Sequence, residues 1–522
     1  MSQFIAGKTS QEGNKAFTGF NPRNKEAGSK QFYNATVDEI DRAAKAASAA
    51  FEETRFYSPE KIAKFLDTVA DEIDAIGDEL LETADRETGL GLPRLTGERG
   101  RTTGQLRKFG ALLREGSYVD AIIDTATDAS PDIRRILVPL GVVAIFSASN
   151  FPFAFAVAGG DTASAFAAGC PVIVKGHPGH PATSELFAGA INTAIEKSGF
   201  PAGFFSLIQG TEIEVGQNLV KHPLIDAVGF TGSLRGGRAI FDTAAARPRP
   251  IPVYAEMGSV NPVIFMPDAI KNRGKSIAEG LINSVNLGGG QFCTNPGLLF
   301  LVDSPASQDF IQVVTDGMSE IEPCVLLNAQ IESGLAKTVA STTQQDAIEL
   351  LTGGKIQVDN QYTYASTVMK TSSKQFRENE ALQVEHFGPV TLFVVCDSLD
   401  DLCQTLEVLE GNLTGTIHAD DSELDDSNQL YNILREKVGR LIWNGFPTGV
   451  AVVPSMLHGG PYPATTAPAT TSVGMTAIQR FMRPVAYQNM PDTLLPDALK
   501  NANPDEIWRT VNWERTQAPI EG

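Results

Sequence analysis

Residues 133–147 have the sequence IRRILVPLGVVAIFS, and this segment indicates the fold more clearly than any other part of the chain. Its second half is continuously apolar and rich in β-branched residues, which is typical of a strand buried on both faces of a parallel sheet. Pro139 and Gly141 interrupt the segment just before this strand. The pattern therefore predicts a central strand of an α/β domain that begins after Gly141.

Strand-like and helix-like segments alternate around this strand. Apolar residues recur at helical spacing between residues 36 and 76, and a second α/β stretch extends from about residue 263 to 442. We predict strands at residues 170–175, 204–209, 227–231, 298–302 and 390–395, helices at 181–198 and 214–222, and a loop at 465–472. Such alternation predicts a doubly wound parallel sheet that binds a ligand, here expected to be a nucleotide, at the carboxyl ends of its strands.

Composition limits the classes of function. A chain of 522 residues is expected to hold two or three domains. Its 42 Lys and Arg residues against 62 Asp and Glu residues give a net charge of −20, which argues against nucleic acid and membrane surfaces as partners. No segment approaches the roughly 20 apolar residues of a membrane span, and the N-terminus lacks the pattern of a secretory signal. Five scattered cysteines form neither a disulfide framework nor a metal-type pair, so we expect a cytoplasmic protein without a metal.

Three short segments contain side chains suited to catalysis. Cys293 follows a glycine run in GGGQFCTN (288–295), Glu256 begins EMGSVNP (256–262) after an apolar segment, and Asn150 lies in SNFPF (149–153) after the predicted central strand. A thiol can act as a nucleophile, a buried carboxylate as a general base, and an amide as an oxyanion donor. Each residue also has an ordinary structural interpretation: a buried thiol, a helix-capping glutamate or a turn asparagine.

Together, these segments resemble the aldehyde dehydrogenase superfamily in order, spacing and local sequence. Lys175, the run FTGSLRGG (230–237) and the segment EHFGP (385–389) extend the resemblance, which covers roughly residues 17–491. It implies an α/β fold with a Rossmann-like cofactor domain, an α/β catalytic domain and a small β oligomerisation flap. The implied division is 1–115 and 139–255 for the cofactor domain, 256–445 for the catalytic domain, 116–138 and 484–522 for the flap and tail, and 446–483 for a segment that returns to the cofactor and active-site side.

The resemblance also implies a reaction and a role for each matching residue. An aldehyde is oxidised to a carboxylic acid through a thiohemiacetal and a thioester on Cys293, with Glu256 as the general base and Asn150 as the oxyanion donor. Members of the superfamily are usually dimers or dimers of dimers, so a homodimer or homotetramer is expected. For the cofactor, the matching positions are Lys175 at the adenosine ribose, Gly232, Ser233 and Gly237 at the pyrophosphate turn, Glu385 at the nicotinamide ribose and Phe387 beside the ring.

The sequence departs from the common family pattern near Lys175. Where many members have a glutamate that disfavours a 2′-phosphate, this chain has Pro178. Loss of that carboxylate removes like-charge repulsion, so Lys175, together with His177, is predicted to favour NADP, with NAD also accepted. The following loop at 210–214 is acidic and offers no arginine for the phosphate.

A second departure, LHGGPYPAT at 457–465, resembles two subgroups of the superfamily. One is the 2,5-dioxovalerate (α-ketoglutarate semialdehyde) dehydrogenases, and the other is an NADP-linked bacterial fatty aldehyde dehydrogenase. His458, Phe151 and Phe155 are the expected substrate contacts; Phe153 is a further candidate for an apolar wall. Arg101, Arg107 and Arg114 are candidates to bind a substrate carboxylate. A CoA-acylating enzyme and a catalytically silent scaffold are the remaining alternatives.

Overall fold

The computed structural model describes residues 3–521, which form helices and strands in alternation along most of the chain. The α-helices are α1 Val37–Thr54, α2 Pro59–Ala75, α3 Asp78–Thr88, α4 Leu92–Glu115, α5 Gly160–Ala167, α6 Pro181–Ser198, α7 Ile213–Lys221, α8 Leu234–Ala245, α9 Pro267–Asn286, α10 Pro305–Ser319, α11 Ala329–Thr343, α12 Ser373–Glu378, α13 Leu399–Glu407 and α14 Leu424–Lys437. The strands are β1 Gln3–Ile5, β2 Lys8–Ser10, β3 Ala16–Phe17, β4 Phe20–Asn21, β5 Glu26–Ala27, β6 Phe32–Tyr33, β7 Ile122–Asp124, β8 Ile133–Pro139, β9 Val143–Phe146, β10 Val172–Lys175, β11 Phe205–Ile208, β12 Ala227–Thr231, β13 Val253–Glu256, β14 Val263–Phe265, β15 Leu298–Val302, β16 Glu349–Thr352, β17 Thr367–Ser372, β18 Val390–Cys396, β19 Asn412–His418, β20 Val438–Trp443, β21 Met482–Gln488, β22 Arg509–Val511 and β23 Glu514–Thr516.

The first sheet is doubly wound around β9. Its strand order is β13-β12-β9-β10-β11-β1-β2, with β13 to β11 parallel and β1 and β2 antiparallel at one edge. The chain leaves β9 toward β10 and β11, and then crosses to the other side of β9 for β12 and β13. This reversal creates a crevice at the carboxyl ends of the strands, where α/β sheets bind ligands.

Alternation of side chains along β9 explains why helices cover both faces of this sheet. Val143 and Ile145 pack into a core formed with α2, α4, α5 and α6. Ala144 and Phe146 pack into a core formed with α1, α7 and α8. Since a strand buried on both faces has no polar side, its sequence is continuously apolar.

The second sheet has the order β16-β17-β18-β15-β14-β19-β20, and only β16 is antiparallel to its neighbour. Its core includes side chains from α9 to α14. A third, smaller sheet has the order β21-β8-β7-β22-β23 and its own apolar cluster around Ile123 and Ile136. None of the helices within residues 3–521 is long and apolar enough to cross a membrane.

The predicted elements agree with the structure in type, and several agree in their bounds. The helix at 181–198 and the strands at 227–231 and 298–302 are confirmed as α6, β12 and β15. β10 begins two residues later than predicted, after Pro171, whose ring nitrogen has no hydrogen to donate to a ladder. β11 is shorter than predicted because Ala202–Phe204 form a 3-10 turn, and α7 lies one residue earlier than predicted.

The boundary of the small sheet also differs slightly from the predicted one. Met482 pairs with Pro139, so β21 and β8 each extend beyond the predicted limits of 484 and 138. The segment 133–147 therefore contributes to two sheets: β8 to the small sheet and β9 to the first sheet.

Candidate active site

The crevice beside β9 collects four of the predicted residues. Asn150 follows β9, Lys175 ends β10, Ser233 follows β12 and Glu256 ends β13. Parallel strands bring their carboxyl ends to one edge, so residues far apart in the sequence meet there. The sheet thus supplies one wall of the candidate site.

Cys293 lies on a loop that approaches this edge from the second sheet. Gly288, Gly289 and Gly290, which precede it, have φ angles of 59°, 69° and 68°, a region that glycine adopts without strain. Asn261 fixes the loop from behind, because its side-chain amide donates to the carbonyl oxygens of Cys293 (2.8 Å) and Asn295 (2.9 Å). The backbone around the thiol is therefore held in one position.

The Cys293 thiol meets two ionisable side chains. Its Sγ lies 3.4 Å from Nε2 of His458. The same Nε2 lies 3.1 Å from Oε2 of Glu256. The Glu256 Oε2 atom is buried and has no well-aligned hydrogen bond in the described protein. The three ligand atoms all lie within 4.8 Å of one another. His458 and Glu256 are almost completely buried, so a proton can pass between these groups away from bulk solvent.

The segment at 446–483 positions His458. The backbone N–H of His458 donates to Oγ1 of Thr471 (2.8 Å), and its carbonyl accepts from the backbone N–H of Ser472 (2.8 Å). Thr465 of the same segment forms a β-bridge with Glu256. Both partners of the thiol are thus held by one stretch of irregular backbone.

The environment keeps the resting thiol protonated. Burial raises the pKa of Cys293 well above its ordinary value, and the negative charges of Glu256 and Glu385 raise it further. Burial also raises the pKa of Glu385 to about 7. A nucleophilic role for Cys293 therefore requires a base in contact with it, and His458 occupies that position.

Asn150 lies against the nucleophile loop. Its Nδ2 donates to the carbonyl oxygen of Gln291 at 2.9 Å, and its side chain is only 8% exposed. A primary amide has two N–H donors, so this bond orients the group and leaves one donor for an oxyanion. The placement is compatible with the predicted role.

Aromatic rings form one side of the approach to Cys293. Phe151 contacts Phe155 and Phe292 with ring centroids 5.3 and 5.2 Å apart, and Phe155 lies 6.3 Å from the His458 ring. Phe153, which alternates with them in sequence, instead packs in the core against Phe187. Only two of the three alternating phenylalanines therefore face the site.

A cavity of about 270 Å³ adjoins these rings, and we call it the arginine pocket. Its lining residues are Arg94, Gly97, Glu98, Arg101, Phe151, Leu287, Gly288 and Phe292. Of the three predicted arginines, only Arg101 lies there. Arg107 and Arg114 instead lie on the outer surface of the protein, where each pairs with acidic residues of α2. The interpretation of Arg107 and Arg114 as substrate ligands is therefore wrong.

Sequence reasoning missed Arg94, Asn261 and Arg440. Arg94 precedes Arg101 by seven residues, or about two helical turns, so both lie on the same face of α4. Arg440 donates to the carbonyl oxygens of Gly449 (3.1 Å) and Pro447 (2.6 Å). The helical spacing of the two α4 arginines was visible in the sequence, and Asn261 lies within the segment EMGSVNP (256–262), whereas no sequence pattern marks Arg440.

Three predicted cofactor residues lie together after β10. Lys175 Nζ donates to the carbonyl oxygen of Gly176 (3.0 Å), and burial lowers the pKa of Lys175 to about 8. His177 Nδ1 accepts from the backbone N–H of Gly179 (3.0 Å), and burial holds the pKa of His177 well below its ordinary value. Pro178 is half-buried beside them and carries no charge that would oppose an anion.

The predicted pyrophosphate turn coincides with the N-terminus of α8. Ser233 is exposed and accepts from the backbone N–H of Gly236 (3.2 Å), as an N-cap does. Gly232 is exposed, and Gly237 packs so closely on β13 that a Cβ atom would lie 2.5 Å from Sδ of Met257. Free N–H groups at a helix N-terminus suit a pyrophosphate, so this turn fits the expected group.

Two further predicted cofactor residues precede β18. Glu385 Oε1 accepts from the backbone N–H of Ser259 (3.4 Å), and a Cβ on Gly258 would collide with the Glu385 carboxylate. Phe387 is half-buried two residues later. Glu385 therefore lies against the backbone that directly follows Glu256, as expected of a residue that borders a nicotinamide ribose.

Comparison with known proteins agrees with this geometry. The model of the aldehyde dehydrogenase family matches residues 8–461. The chain belongs to the aldehyde dehydrogenase family. This aldehyde dehydrogenase is an oxidoreductase that oxidises an aldehyde to a carboxylic acid, and its family uses NAD(P) as the electron acceptor.

Two curated relatives are similar over nearly the whole chain. The α-ketoglutaric semialdehyde dehydrogenase of Acinetobacter baylyi is 46% identical over 491 residues, which is 93% of each chain. α-Ketoglutaric semialdehyde dehydrogenase 2 of Azospirillum brasilense is 47% identical over 477 residues, which is 90% of each chain. Among solved structures, the lactaldehyde dehydrogenase of Escherichia coli superposes with a TM-score of 0.82 at 20% identity, covering 93% of this chain and 98% of that chain. The structural similarity to lactaldehyde dehydrogenase confirms the predicted fold.

Proposed function

We propose that this aldehyde dehydrogenase converts α-ketoglutarate semialdehyde to 2-oxoglutarate, with NADP as the preferred acceptor and NAD also accepted. The contact of the Cys293 thiol with His458, backed by Glu256, is the observation that supports the chemistry. The names and 46–47% identity of the two curated relatives support the substrate. The cationic arginine pocket beside Phe292 also suits an aldehyde that ends in a carboxylate.

The first half of the reaction makes the aldehyde carbon tetrahedral. His458 Nε2 accepts the thiol proton, and the sulfur attacks the carbonyl carbon to form a thiohemiacetal. The side-chain amide of Asn150 and the backbone N–H of Cys293 stabilise the oxyanion, and each such donor contributes about 3 to 4 kcal/mol. The bound nicotinamide supplies the hydride acceptor, and the product on the enzyme is a thioester of Cys293.

The second half releases the acid. Glu256 takes a proton from a water molecule, whose oxygen attacks the thioester carbon, and the carbon–sulfur bond breaks to release the carboxylic acid. The expelled Cys293 thiolate takes back the proton that His458 holds, and Glu256 loses its proton to solvent. We expect Glu256→Gln to give one rapid turnover of reduced cofactor followed by stalled release, and Cys293→Ala to be inactive. Stopped-flow absorbance measures both results. A normal steady state in Glu256→Gln would contradict the role of Glu256, and CoA-dependent turnover of the wild type would favour an acylating reaction.

The preference for NADP is proposed from the charges around Lys175. Its ammonium group is bonded only to a backbone carbonyl among the hydrogen bonds described, and Pro178 places no carboxylate beside it. The nearby acidic loop is partly neutralised, because Glu212 pairs with Lys15 at 3.1 Å. An added 2′-phosphate therefore meets a cation rather than a repelling charge.

A substrate panel tests the proposal as a whole. Values of kcat/KM for α-ketoglutarate semialdehyde, succinic semialdehyde and aldehydes of increasing chain length should be compared with both cofactors. We expect the highest value for α-ketoglutarate semialdehyde with NADP. A value that rises with chain length would instead support a fatty aldehyde, a second candidate favoured by the rings of Phe151, Phe155 and Phe292. No turnover with any aldehyde would support a silent scaffold.

We propose a cytoplasmic homodimer or homotetramer with no nucleic-acid or membrane partner, and with the small sheet as the subunit contact. All five cysteines are unpaired, which supports a reducing compartment. The division of the chain into cofactor domain, catalytic domain and flap at the predicted boundaries is proposed with it, apart from the small extension of β8 and β21.

A further inference from the structure

Two arginines on α4 direct their guanidinium groups toward the active site. Arg94 lies over the rings of Phe151 and Phe292 at 5.0 and 4.9 Å, and Arg101 lies over Phe155 at 5.7 Å. Phe292 is the residue immediately before the nucleophile. The arginine pocket is therefore continuous with the aromatic wall that leads to Cys293.

Each arginine is fixed by one bond to a backbone carbonyl. Arg94 Nη2 donates to the carbonyl oxygen of Asn150 at 2.7 Å, and Arg101 Nη1 donates to that of Val450. Two of their other donors, Arg94 Nη1 and Arg101 Nε, are buried and have no hydrogen-bond partner in the described protein. Buried N–H donors usually have a partner, so these two are available to an acceptor from outside the chain.

The charge of the pocket is positive even when Glu98 is counted. Glu98 lies between the arginines on α4, and its Oε1 accepts from the backbone N–H groups of Phe153 (2.9 Å) and Ala154 (3.0 Å). Two guanidinium groups and one carboxylate leave a net charge of about +1, since arginine stays protonated in proteins. Burial raises the pKa of Glu98, which shifts the balance further toward positive charge. An anionic ligand is therefore favoured.

The proposed substrate is short, and the arginine pocket includes Phe292, the residue next to the nucleophile. In α-ketoglutarate semialdehyde, four carbon–carbon bonds of about 1.5 Å separate the aldehyde carbon from the carboxyl carbon, a span of about 5 Å when extended. The ring of Phe155 lies under Arg101 at 5.7 Å and 6.3 Å from the ring of His458, which contacts the Cys293 thiol, so one aromatic ring separates the guanidinium from the catalytic groups. A short acid can thus place its two ends at the two sites.

We infer that Arg94 and Arg101 form the binding site for the substrate carboxylate, with Arg94 Nη1 and Arg101 Nε as the two donors to its oxygens. This inference rests on the proposed function, because it assumes an aldehyde that carries a carboxylate. Arg94 also donates a hydrogen bond to the backbone carbonyl of Asn150, so its replacement would disturb the proposed oxyanion donor as well. Arg101 is therefore the cleaner position for a test.

The test compares two aldehydes of equal chain length, α-ketoglutarate semialdehyde and pentanal. For Arg101→Met, we expect the ratio of their kcat/KM values to fall about 10- to 100-fold, as for loss of a hydrogen bond to a charged group. Arg101→Lys retains the charge without the planar fork and should show a smaller fall. Arg107→Met is the matched control, because Arg107 is on the same helix but pairs with Asp71 and Asp74 at the surface.

Binding of glutarate, a dicarboxylate without an aldehyde, gives a second readout that needs no turnover. We expect glutarate to inhibit the wild type competitively and to bind Arg101→Met more weakly by the same factor. An unchanged ratio and unchanged glutarate inhibition in Arg101→Met would overturn the inference. So would an equal loss on both aldehydes, which indicates a purely structural role. If the wild type itself favours pentanal over every carboxylated aldehyde, the proposed substrate fails and the inference fails with it.

Discussion

Lys175 is a residue whose protonation state changes within the range of ordinary assays. Burial lowers its pKa to about 8, so the ammonium charge is present below pH 8 and is lost above it. We expect the ratio of kcat/KM for NADP to that for NAD to fall roughly tenfold between pH 7 and pH 9.5, because the neutral amine no longer attracts the 2′-phosphate. Lys175→Met should give a low ratio that does not vary with pH. A pH-independent ratio in the wild type would show that another group binds the phosphate.

His458 is the residue in contact with both the thiol and Glu256. Since burial and neighbouring carboxylates raise the pKa of Cys293, removal of the adjacent base should lower kcat/KM about 10²- to 10⁴-fold in His458→Gln. Alkylation of Cys293 by iodoacetamide should require a higher pH in this variant. His222→Gln is the control, because His222 pairs with Asp41 away from the site. Identical alkylation profiles in the two variants would exclude His458 as the base.

The contact between α8 and β13 joins the predicted cofactor turn to Glu256, the proposed general base. A methyl group at position 237 would lie 2.5 Å from Sδ of Met257, the residue next to Glu256, and 3.3 Å from Cβ of Ala255. Overpacking of this kind costs about 1 to 3 kcal/mol. We therefore expect Gly237→Ala to lower the thermal unfolding temperature and to raise the KM for both cofactors, because the N-terminus of α8 must move.

Gly189 in α6 provides the matched control for Gly237. Apart from its chain neighbours and the backbone of its own helix, no atom lies within 4 Å of the position that its Cβ would occupy. Gly189→Ala should stabilise the protein by about 0.5 to 1 kcal/mol through helix propensity and leave the cofactor KM unchanged. If Gly237→Ala behaved like Gly189→Ala in both measurements, the close contact of α8 with β13 would have no role in cofactor binding.

Elements with strong local signals were the predictable part of the fold. The sequence itself marks α6, because proline favours the first position of a helix and glycine favours the left-handed conformation at its end. Pro181 and Gly199 occupy these two positions, and the predicted bounds of α6 were confirmed. β9 was recognisable from its continuously apolar sequence. The beginning of β11 was not, because the 3-10 turn before it packs against α1.

The candidate site was predictable where its residues follow strands or lie in segments that resemble the family. Glu256 and Asn150 were found because they come directly after predicted strands and match a family pattern. His458 reaches Cys293 across 165 residues through an irregular segment, so its contact with the thiol depends on tertiary packing that no periodicity reveals. Arg94 and Arg101 share a helix face that is visible in the sequence, but arginines on a helix usually face solvent, and only packing shows otherwise.

The small sheet presents a large exposed aromatic residue to solvent. Trp513 lies in the two-residue turn between β22 and β23, where Asn512 and Trp513 have φ angles of 48° and 75°. Such turns favour glycine at the second position, and a bulky residue with positive φ is strained by about 1 to 3 kcal/mol. The Trp513 side chain is nevertheless 93% exposed, so burial in this chain does not offset the strain.

A contact with another subunit would explain why tryptophan occupies this turn. β21 and β23 are the edges of the small sheet, and unpaired edges readily associate with a second chain. We expect light scattering to give a mass of two or four times 55.8 kDa, and Trp513→Gly to shift that mass toward the protomer on dilution. The same variant should not lower the unfolding temperature of the protomer, because glycine relieves the positive φ. Phe56→Gly, which removes another exposed aromatic outside the small sheet, should leave the mass unchanged. A wild type that is monomeric at micromolar concentration, or equal dissociation of both variants, would assign the subunit contact elsewhere.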